Sequence, residues 1–205
     1  MMSDNNSFSY PVMEHFYTIQ GEGAYTGCAA YFIRLGGCDV GCVWCDVKES
    51  WDASVHPQMS VRQLVKIVSD TPAKICVITG GEPAMYQLDP LITQLQKADI
   101  RVHIETSGAY EIQGNPDWIC LSPKKFKFPL KEVLVRASEY KAVVFHKSDI
   151  EWAMSYVNDL PDNCFRYLQP EWSKSEAVLP LIIDFVKANP EWRISLQTHK
   201  FLNIP

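Results

Sequence analysis

The sequence lacks the features of a secreted, membrane-spanning or nucleic-acid-binding protein. Its seven cysteines are an odd number and four of them stand singly, which is not the pattern of a disulfide framework. Acidic residues outnumber basic ones by 24 to 19, so the formal charge of -5 offers nucleic acid no overall positive field. The longest apolar run, 177–186, is interrupted by Pro180 and Asp184 and is shorter than the roughly 20 residues that a membrane span needs. We therefore expect a cytoplasmic protein that binds a small ligand and neither nucleic acid nor membrane.

The chain as a whole has the pattern of an α/β protein. Residues 1–10 lack the basic and apolar segments of a signal peptide, so we expect a disordered or extended tail and then a single domain over 11–205. Short apolar runs typical of buried parallel strands alternate with amphipathic runs of helical length. The strands are predicted at 29–35, 73–79, 101–105, 118–121, 141–145, 165–168 and 193–196, and the helices at 61–68, 88–98, 149–157 and 176–188, with a further short helix near Val133. Such a sheet is either doubly wound or curled into a full or partial barrel, and both place functional groups at the carboxyl ends of the strands.

Three closely spaced cysteines follow the first of these strands. Cys38, Cys42 and Cys45 form a C-x-x-x-C-x-x-C run directly after 29–35. Three thiolates can bind three irons of a 4Fe-4S cluster, which leaves the fourth iron open to a ligand that is not protein. Two alternatives stay open, since Cys42 and Cys45 also fit a dithiol redox motif and a structural zinc site needs only one further ligand. The nearest downstream histidine, His56, lies in an apparent loop, which makes it a weak candidate for the fourth zinc ligand.

A glycine-rich segment follows the next strand. Residues 79–83 read Thr-Gly-Gly-Glu-Pro, so a ligand can approach the backbone closely while Glu82 offers a carboxylate to an ammonium group. Glu105 stands in the matching position at the end of the following strand. The frequency of glycine in turns would explain the glycines alone, but not the repeated carboxylate.

The cysteine run and the glycine segment together resemble the radical S-adenosylmethionine superfamily. The resemblance implies a partial β/α barrel with a mostly parallel sheet and reduced helices. It implies that Cys38, Cys42 and Cys45 hold the 4Fe-4S cluster and that the open iron binds S-adenosylmethionine. It also implies that this cofactor supplies a 5′-deoxyadenosyl radical, so no protein side chain is expected to be the catalytic group.

Further segments resemble one family within that superfamily, the 7-carboxy-7-deazaguanine synthases. The similarity covers nearly the whole chain after Pro11 and is carried by 18–23, 32–35, 104–108, 122–124, 168–170 and 196–204. It implies a carbon–nitrogen lyase that converts 6-carboxy-5,6,7,8-tetrahydropterin to 7-carboxy-7-deazaguanine with loss of ammonia, in queuosine biosynthesis. It also implies a homodimer and an electron donor such as flavodoxin.

The same resemblance assigns residues to two binding sites. The S-adenosylmethionine site takes residues from the cysteine loop, the glycine segment and 122–124, namely Trp44, Cys45, Asp46, Gly81, Glu82, Ser122, Pro123 and Lys124. The pterin site takes Ile19, Gln20, Gly21, Arg34, Thr79 and Pro205. Arg34 also has an independent rationale, because a guanidinium can bind a substrate carboxylate through two parallel hydrogen bonds.

One position departs from the family pattern. Members of the family use Mg2+ that is bound partly through a hydroxyl-bearing residue two places after the third cysteine, where this sequence has Val47. Valine offers no side-chain oxygen, and Mg2+ requires oxygen ligands in octahedral geometry. We therefore expect weak Mg2+ dependence, with substrate oxygens, water, Asp46 or Ser50 as the remaining ligands.

Two other functions stay open on the sequence alone. A small activase that forms a glycyl radical on a partner protein carries the same cysteine run, although it would not need the segments 20–23 and 197–200. A zinc or redox binding module is the noncatalytic alternative.

Overall fold

The structure, a computed structural model, describes residues 8–205. Residues 1–7 of the predicted tail lie outside the described residues. Ser9 and Tyr10 are extended but belong to the first strand, and the buried Tyr10 hydroxyl donates a 2.7 Å hydrogen bond to the Gln87 carbonyl. The sheet therefore begins two residues before the predicted boundary at residue 11.

Strands and helices alternate along most of the described chain. The strands are β1 Ser9–Ile19, β2 Ala29–Leu35, β3 Gln58–Ser60, β4 Ile75–Gly80, β5 Arg101–Thr106, β6 Trp118–Leu121, β7 Glu139–Val144, β8 Phe165–Pro170 and β9 Trp192–Ile194. The α-helices are α1 Val61–Ser69, α2 Asp89–Lys97, α3 Lys131–Leu134, α4 Ser148–Met154, α5 Ser175–Ala188 and α6 Thr198–Leu202. Each predicted strand and helix is present with ends shifted by a few residues, whereas β1, β3 and α6 were not predicted.

All nine strands belong to one sheet in the order β3-β1-β2-β4-β5-β6-β7-β8-β9. Neighbours from β2 to β9 are parallel, and β1 is antiparallel to both β2 and β3. Parallel neighbours end at the same edge, so the loops after β2, β4, β5 and β6 lie side by side. None of the helices in residues 8–205 is long and apolar enough to cross a membrane.

The two faces of the sheet carry different side chains. Ile33, Leu35 and Ile78 belong to the buried hydrophobic core, to which α1 and α2 also contribute. Successive strand residues point to opposite faces, so Arg34 and its cross-strand neighbour Thr79 lie on the other face. We call this second face the inner face. Its polar side chains and the adjacent strand ends form the candidate site.

Candidate active site

A cavity of about 270 Å³ lies between the inner face and the carboxyl ends of the parallel strands. The cysteines of the predicted cluster all border it, as do the residues assigned to the two binding sites with one exception. Pro123 is buried and does not line the cavity. The tertiary structure thus brings together segments that are up to 186 positions apart in sequence, from Ile19 to Pro205.

The cysteine loop is fixed at its start and turns tightly within itself. The Gly37 N–H donates to the Ser50 carbonyl at 2.6 Å, and the Cys45 N–H donates to the Cys42 carbonyl at 3.1 Å. Gly41 has a φ of 74°, a left-handed conformation that glycine adopts without strain. Burial raises the pKa of the Cys42 thiol to about 11 and also raises the pKa of Cys38. Binding of iron would therefore displace protons from these thiols.

The donor set fits a cluster held by three thiolates. Cys38, Cys42 and Cys45 are free thiols, and all three face the same cavity. Within residues 8–205, no three His, Cys, Asp or Glu side chains are grouped as ligands of a single metal ion. A 4Fe-4S cluster does not require that grouping, because each cysteine binds a different iron.

The glycine segment presses its backbone against the cysteine loop. The Gly81 N–H donates to the Leu35 carbonyl at 2.9 Å, and the Glu82 N–H donates to the Gly37 carbonyl at 2.8 Å. A Cβ atom on Gly81 would lie 2.2 Å from the Gly37 oxygen and 2.9 Å from the Cys38 Cβ. Only glycine permits this approach, which leaves the backbone exposed to the cavity beside the cysteines.

Glu82 is held in place by hydrogen bonds within the protein. Its carboxylate is 1% exposed, and both of its oxygens accept hydrogen bonds within the protein. Oε1 accepts from the Ala84 N–H at 3.0 Å and the Thr106 hydroxyl at 2.5 Å, and Oε2 accepts from the Ser107 N–H at 2.8 Å and its hydroxyl at 2.5 Å. Glu82 therefore joins the loop after β4 to the end of β5, and it also lines the cavity, so its contact with S-adenosylmethionine stays a prediction.

The segment after β6 forms a third wall of the cavity. The Lys124 ammonium donates to the carbonyl and hydroxyl oxygens of Ser122, both at 2.6 Å, and lies 5.6 Å from the centre of the Trp44 ring. Burial lowers the pKa of Lys124, an effect that the neighbouring Cys42 opposes. Trp44, Ser122 and Lys124 thus pack together, as their common assignment to the S-adenosylmethionine site requires.

Arg34 is oriented by a carboxylate on the neighbouring strand β1. Its Nε donates a 2.6 Å hydrogen bond to Glu14 on the antiparallel neighbour β1. The guanidinium forms no other hydrogen bond within residues 8–205. Its two terminal nitrogens are therefore available to bind a ligand. Thr79 lies beside Arg34 on β4 and also lines the cavity.

The C-terminal segment crosses the cavity and joins its two ends. The Thr198 N–H and hydroxyl both donate to the Gly21 carbonyl at 2.9 Å, and the Thr18 hydroxyl approaches the Pro205 carbonyl oxygen at 3.5 Å. Lys200 on α6 forms a 3.2 Å ion pair with Asp46 of the cysteine loop. The short helix α6 therefore connects the segment after β1 with the loop that carries the cysteines.

Sequence reasoning missed several polar residues that line the cavity, namely Glu22, Glu105, Lys141, Gln169, Gln197 and His199. Glu105 had been noticed at a strand end but was not assigned to either binding site. Lys141 could have been identified from the sequence. It is two residues from Glu139 in the strand 139–144, whose other residues are Tyr, Ala and Val. Residues two apart in a strand share a face, so these two opposite charges are expected on the same face of β7.

Comparisons with known proteins show the family to which this chain is related. Residues 32–121 match the model of the radical SAM superfamily. A 7-carboxy-7-deazaguanine synthase from Flavobacterium psychrophilum is 52% identical over 195 residues, which cover 95% of this chain and 92% of that protein. The Escherichia coli K12 protein of the same name is 36% identical, with 95% and 99% covered.

A solved structure shows the same fold. The crystal structure of QueE from Escherichia coli superimposes with a TM-score of 0.85 at 34% identity and covers 96% of this chain and 99% of that one. The fold is therefore the partial β/α barrel that was expected, and the superfamily brings with it a 4Fe-4S cluster and S-adenosylmethionine. The chain belongs to the 7-carboxy-7-deazaguanine synthase family of radical S-adenosylmethionine lyases.

Proposed function

We propose that this chain converts 6-carboxy-5,6,7,8-tetrahydropterin to 7-carboxy-7-deazaguanine with loss of ammonia, in queuosine biosynthesis. The observation that carries the proposal is that three cysteine thiols, the exposed backbone at Gly81 and the Arg34 guanidinium all border one cavity. When bound, the cluster and S-adenosylmethionine supply a radical that starts the reaction. The protein has to hold both molecules in contact and keep water from them.

The cofactor half of the cavity is formed by the cysteine loop, the glycine segment and the segment after β6. Trp44, Asp46 and the backbone at Gly81 would hold S-adenosylmethionine beside the open iron. Ser122 and Lys124 are packed against Trp44 and would complete this wall. Cys45 belongs to both cluster and cofactor surroundings, while Pro123 would act only by shaping the loop that carries its neighbours.

The substrate half is formed by the end of β1, the inner face and the C-terminus. Arg34 would bind the pterin carboxylate, and Thr79 beside it would donate a further hydrogen bond. The backbone of 19–21 and the region of Pro205, which contact each other, would together close one side of the space for the ring system. Gln20 is 7% exposed and already bonded to Glu105 at 2.9 Å, so it would act by orienting that carboxylate.

The reaction itself is tested with anaerobically purified, cluster-containing protein. Incubation with reductant, S-adenosylmethionine and the tetrahydropterin should release 5′-deoxyadenosine and form 7-carboxy-7-deazaguanine and ammonia. The glycyl-radical alternative predicts that the pterin has no effect on release of 5′-deoxyadenosine. The binding-module alternative predicts no release at all.

Replacing Arg34 by lysine should weaken substrate binding. Lysine cannot form two parallel hydrogen bonds to a carboxylate, and its point charge would not keep the 2.6 Å contact with Glu14 in the same geometry. We expect KM for the pterin to rise by roughly 10-fold to 100-fold, which corresponds to the roughly 1.5–3 kcal/mol of a hydrogen bond to a charged group. Steady-state kinetics should show this with an unchanged affinity for S-adenosylmethionine. The matched exposed variant Arg62→Lys on α1 should behave as wild type.

We also propose that Mg2+ has little influence on this enzyme. Val47 lines the cavity without a side-chain oxygen, Asp46 is paired with Lys200, and the Ser50 hydroxyl donates to the Val47 carbonyl at 2.7 Å. A metal would therefore have to depend mainly on substrate oxygens and water. Turnover should change by less than about twofold between added Mg2+ and brief chelation, since the part of the chain that the structure describes, 8–205, holds no preformed cage of oxygen ligands. A Val47→Thr variant should gain a response to Mg2+, and a strict, saturable requirement in the wild type would contradict the proposal.

The electron donor and the oligomeric state are further parts of the proposal. A protein such as flavodoxin could approach the cluster at the exposed edge of the cysteine loop, where Val43 is 68% exposed between two of the cysteines. The region of β1 after Pro11 has no strand on the side away from β2 within residues 8–205. Such an open edge, with exposed Tyr17 and Ile19, supports a homodimer, which light scattering would test.

A further inference from the structure

A buried ammonium group lies on the inner face, next to the substrate half of the cavity. Lys141 on β7 is 3% exposed, yet it lines the cavity. Its Nζ forms a short ion pair with Glu22 and lies 3.6 Å from Oε2 of Glu105. Neither the cluster ligands nor the residues assigned to the two binding sites include this lysine.

The two carboxylates that Lys141 contacts are themselves held in place. Gln197 donates to Glu22 Oε1 at 2.9 Å, and Gln20 donates to Glu105 Oε1 at 2.9 Å. The Glu22 N–H in turn donates to the Gln20 side-chain oxygen at 3.0 Å. The lysine is thus the cation at the centre of a hydrogen-bonded network that ends on two carboxylates at the cavity wall.

The charges in this network depend on the lysine. Burial by itself would raise the pKa of Glu22, but Lys141 outweighs it and holds that pKa at about 2. Burial would likewise lower the pKa of Lys141, whereas Cys120 and the surrounding carboxylates raise it well above its usual value. Burial raises the pKa of Glu139, the third carboxyl group beside the lysine. A buried ion pair is costly to desolvate and is often no more stable than apolar residues of the same volume, so stability alone does not explain it.

We infer that Lys141 is a positioning residue that holds Glu22 and Glu105 at the substrate half of the cavity, where their carboxylates accept hydrogen bonds from the N–H groups of the pterin. The inference rests on the proposed function. A pterin presents an amino group and ring N–H groups along one edge, and an ionised carboxylate accepts from such donors more strongly than a neutral carboxylic acid does. Arg34 binds the carboxylate of the same substrate, so cationic and anionic groups of the cavity match opposite parts of one molecule.

The test measures pterin binding to cluster-containing protein with S-adenosylmethionine bound and no reductant, so that no turnover occurs. In a Lys141→Met variant the affinity for the tetrahydropterin should fall about 100-fold near neutral pH, because Glu22 and Glu105 lose the buried cation that holds both of them in place. The affinity for S-adenosylmethionine should stay within about threefold of wild type, since the changed network borders the other half of the cavity.

The pH dependence separates positioning from a general structural role. Wild-type affinity should be flat from about pH 6 to pH 8, whereas that of Lys141→Met should fall further toward pH 6, because burial raises the pKa of Glu22 once the opposing charge of Lys141 is gone, and this carboxyl group then takes up a proton. If the substitution only lowered the stability of the protein, the molecules that remain folded would bind the pterin with the same pH dependence as the wild type. The titratable groups that face Lys141 are Glu22 after β1, Glu105 on β5, Cys120 on β6, Lys124 after β6 and Glu139 on β7.

A double variant keeps the inference testable if Lys141→Met folds poorly. Combining Lys141→Met with Glu22→Gln removes both charges of the closest ion pair. Because no unpaired charge of that pair is then left buried, the double variant should regain thermal stability. If Lys141 positions Glu105 as inferred, the double variant should still bind the pterin at least about tenfold more weakly than the Glu22→Gln single variant. Equal affinities of those two variants would overturn the inference.

Two controls complete the experiment. Lys66→Met removes an exposed ion pair to Asp70 on α1 and should leave pterin affinity unchanged. If the wild type binds the pterin and Lys141→Met binds it equally well at every pH, the role of Lys141 is wrong while the proposed function stands. If the wild type does not bind the pterin, the proposed function itself fails.

Discussion

Replacing Cys42 by alanine is expected to abolish turnover. Cys42 is the middle of the three cysteines that face the cavity, and its removal leaves two protein ligands for a cluster that needs three. Because the cluster delivers the electron that starts the reaction, we expect a loss of at least about a thousandfold in rate, or about 4 kcal/mol in activation free energy. Cys38→Ala and Cys45→Ala should behave alike.

This prediction is checked by iron and sulfide analysis together with an activity assay. The three variants should carry little cluster after anaerobic reconstitution and should release no 5′-deoxyadenosine. Cys28→Ala is the matched control, since Cys28 is an exposed free cysteine outside the cavity, and it should keep wild-type iron content and activity. Retained activity in any of the three cavity variants would refute the cluster assignment.

The second large effect is expected from Gly81→Ala. The new methyl group would lie 2.2 Å from the Gly37 oxygen and 2.9 Å from the Cys38 Cβ, and the closer of these neighbours is backbone that cannot rotate away. The cysteine loop must then move relative to β4, at a cost of about 1–3 kcal/mol in the free energy of unfolding. Turnover should fall about 100-fold, because a misplacement of about 1 Å at a reacting centre has effects of that size.

Urea denaturation and steady-state kinetics measure the two parts of this prediction. Gly27→Ala is a useful comparison, because Gly27 has a φ of 89° but nothing within 4 Å of the added carbon. That variant introduces backbone strain without disturbing the cavity, so it should lose stability and keep kcat. If Gly81→Ala had wild-type activity, the close approach of the two loops would not matter for function.

Sequence patterns identified the residues whose function depends on near neighbours in the chain. The spacing of Cys38, Cys42 and Cys45 and the two glycines before Glu82 are visible without a fold, because both motifs act through loops of a few residues. The apolar runs likewise predicted the parallel strands. Strand β1 escaped prediction because its outer half alternates exposed and half-buried residues, and its pairing with β2 is antiparallel.

Long-range contacts decided the roles that the sequence left open. The sequence predicts that Glu82 offers its carboxylate to a ligand, and the return of β5 beside β4 adds a second role, because Thr106 and Ser107 donate hydrogen bonds to both of its oxygens. Lys141 was read as part of an apolar strand until the fold placed Glu22 and Glu105 against it. No local pattern contains these partners, because they are 119 positions before it for Glu22 and 36 for Glu105.

The sequence by itself determined the cluster loop, the glycine segment and the strand order along the chain, because each depends on neighbours in sequence and on the alternation of apolar residues. Only the tertiary structure decided which side chains share the cavity. A parallel sheet collects the ends of distant strands at one edge, and α6 brings the C-terminus back to β1 and the cysteine loop. The charges of Glu22 and Lys141 depend on burial and mutual distance, which are properties of the folded chain alone.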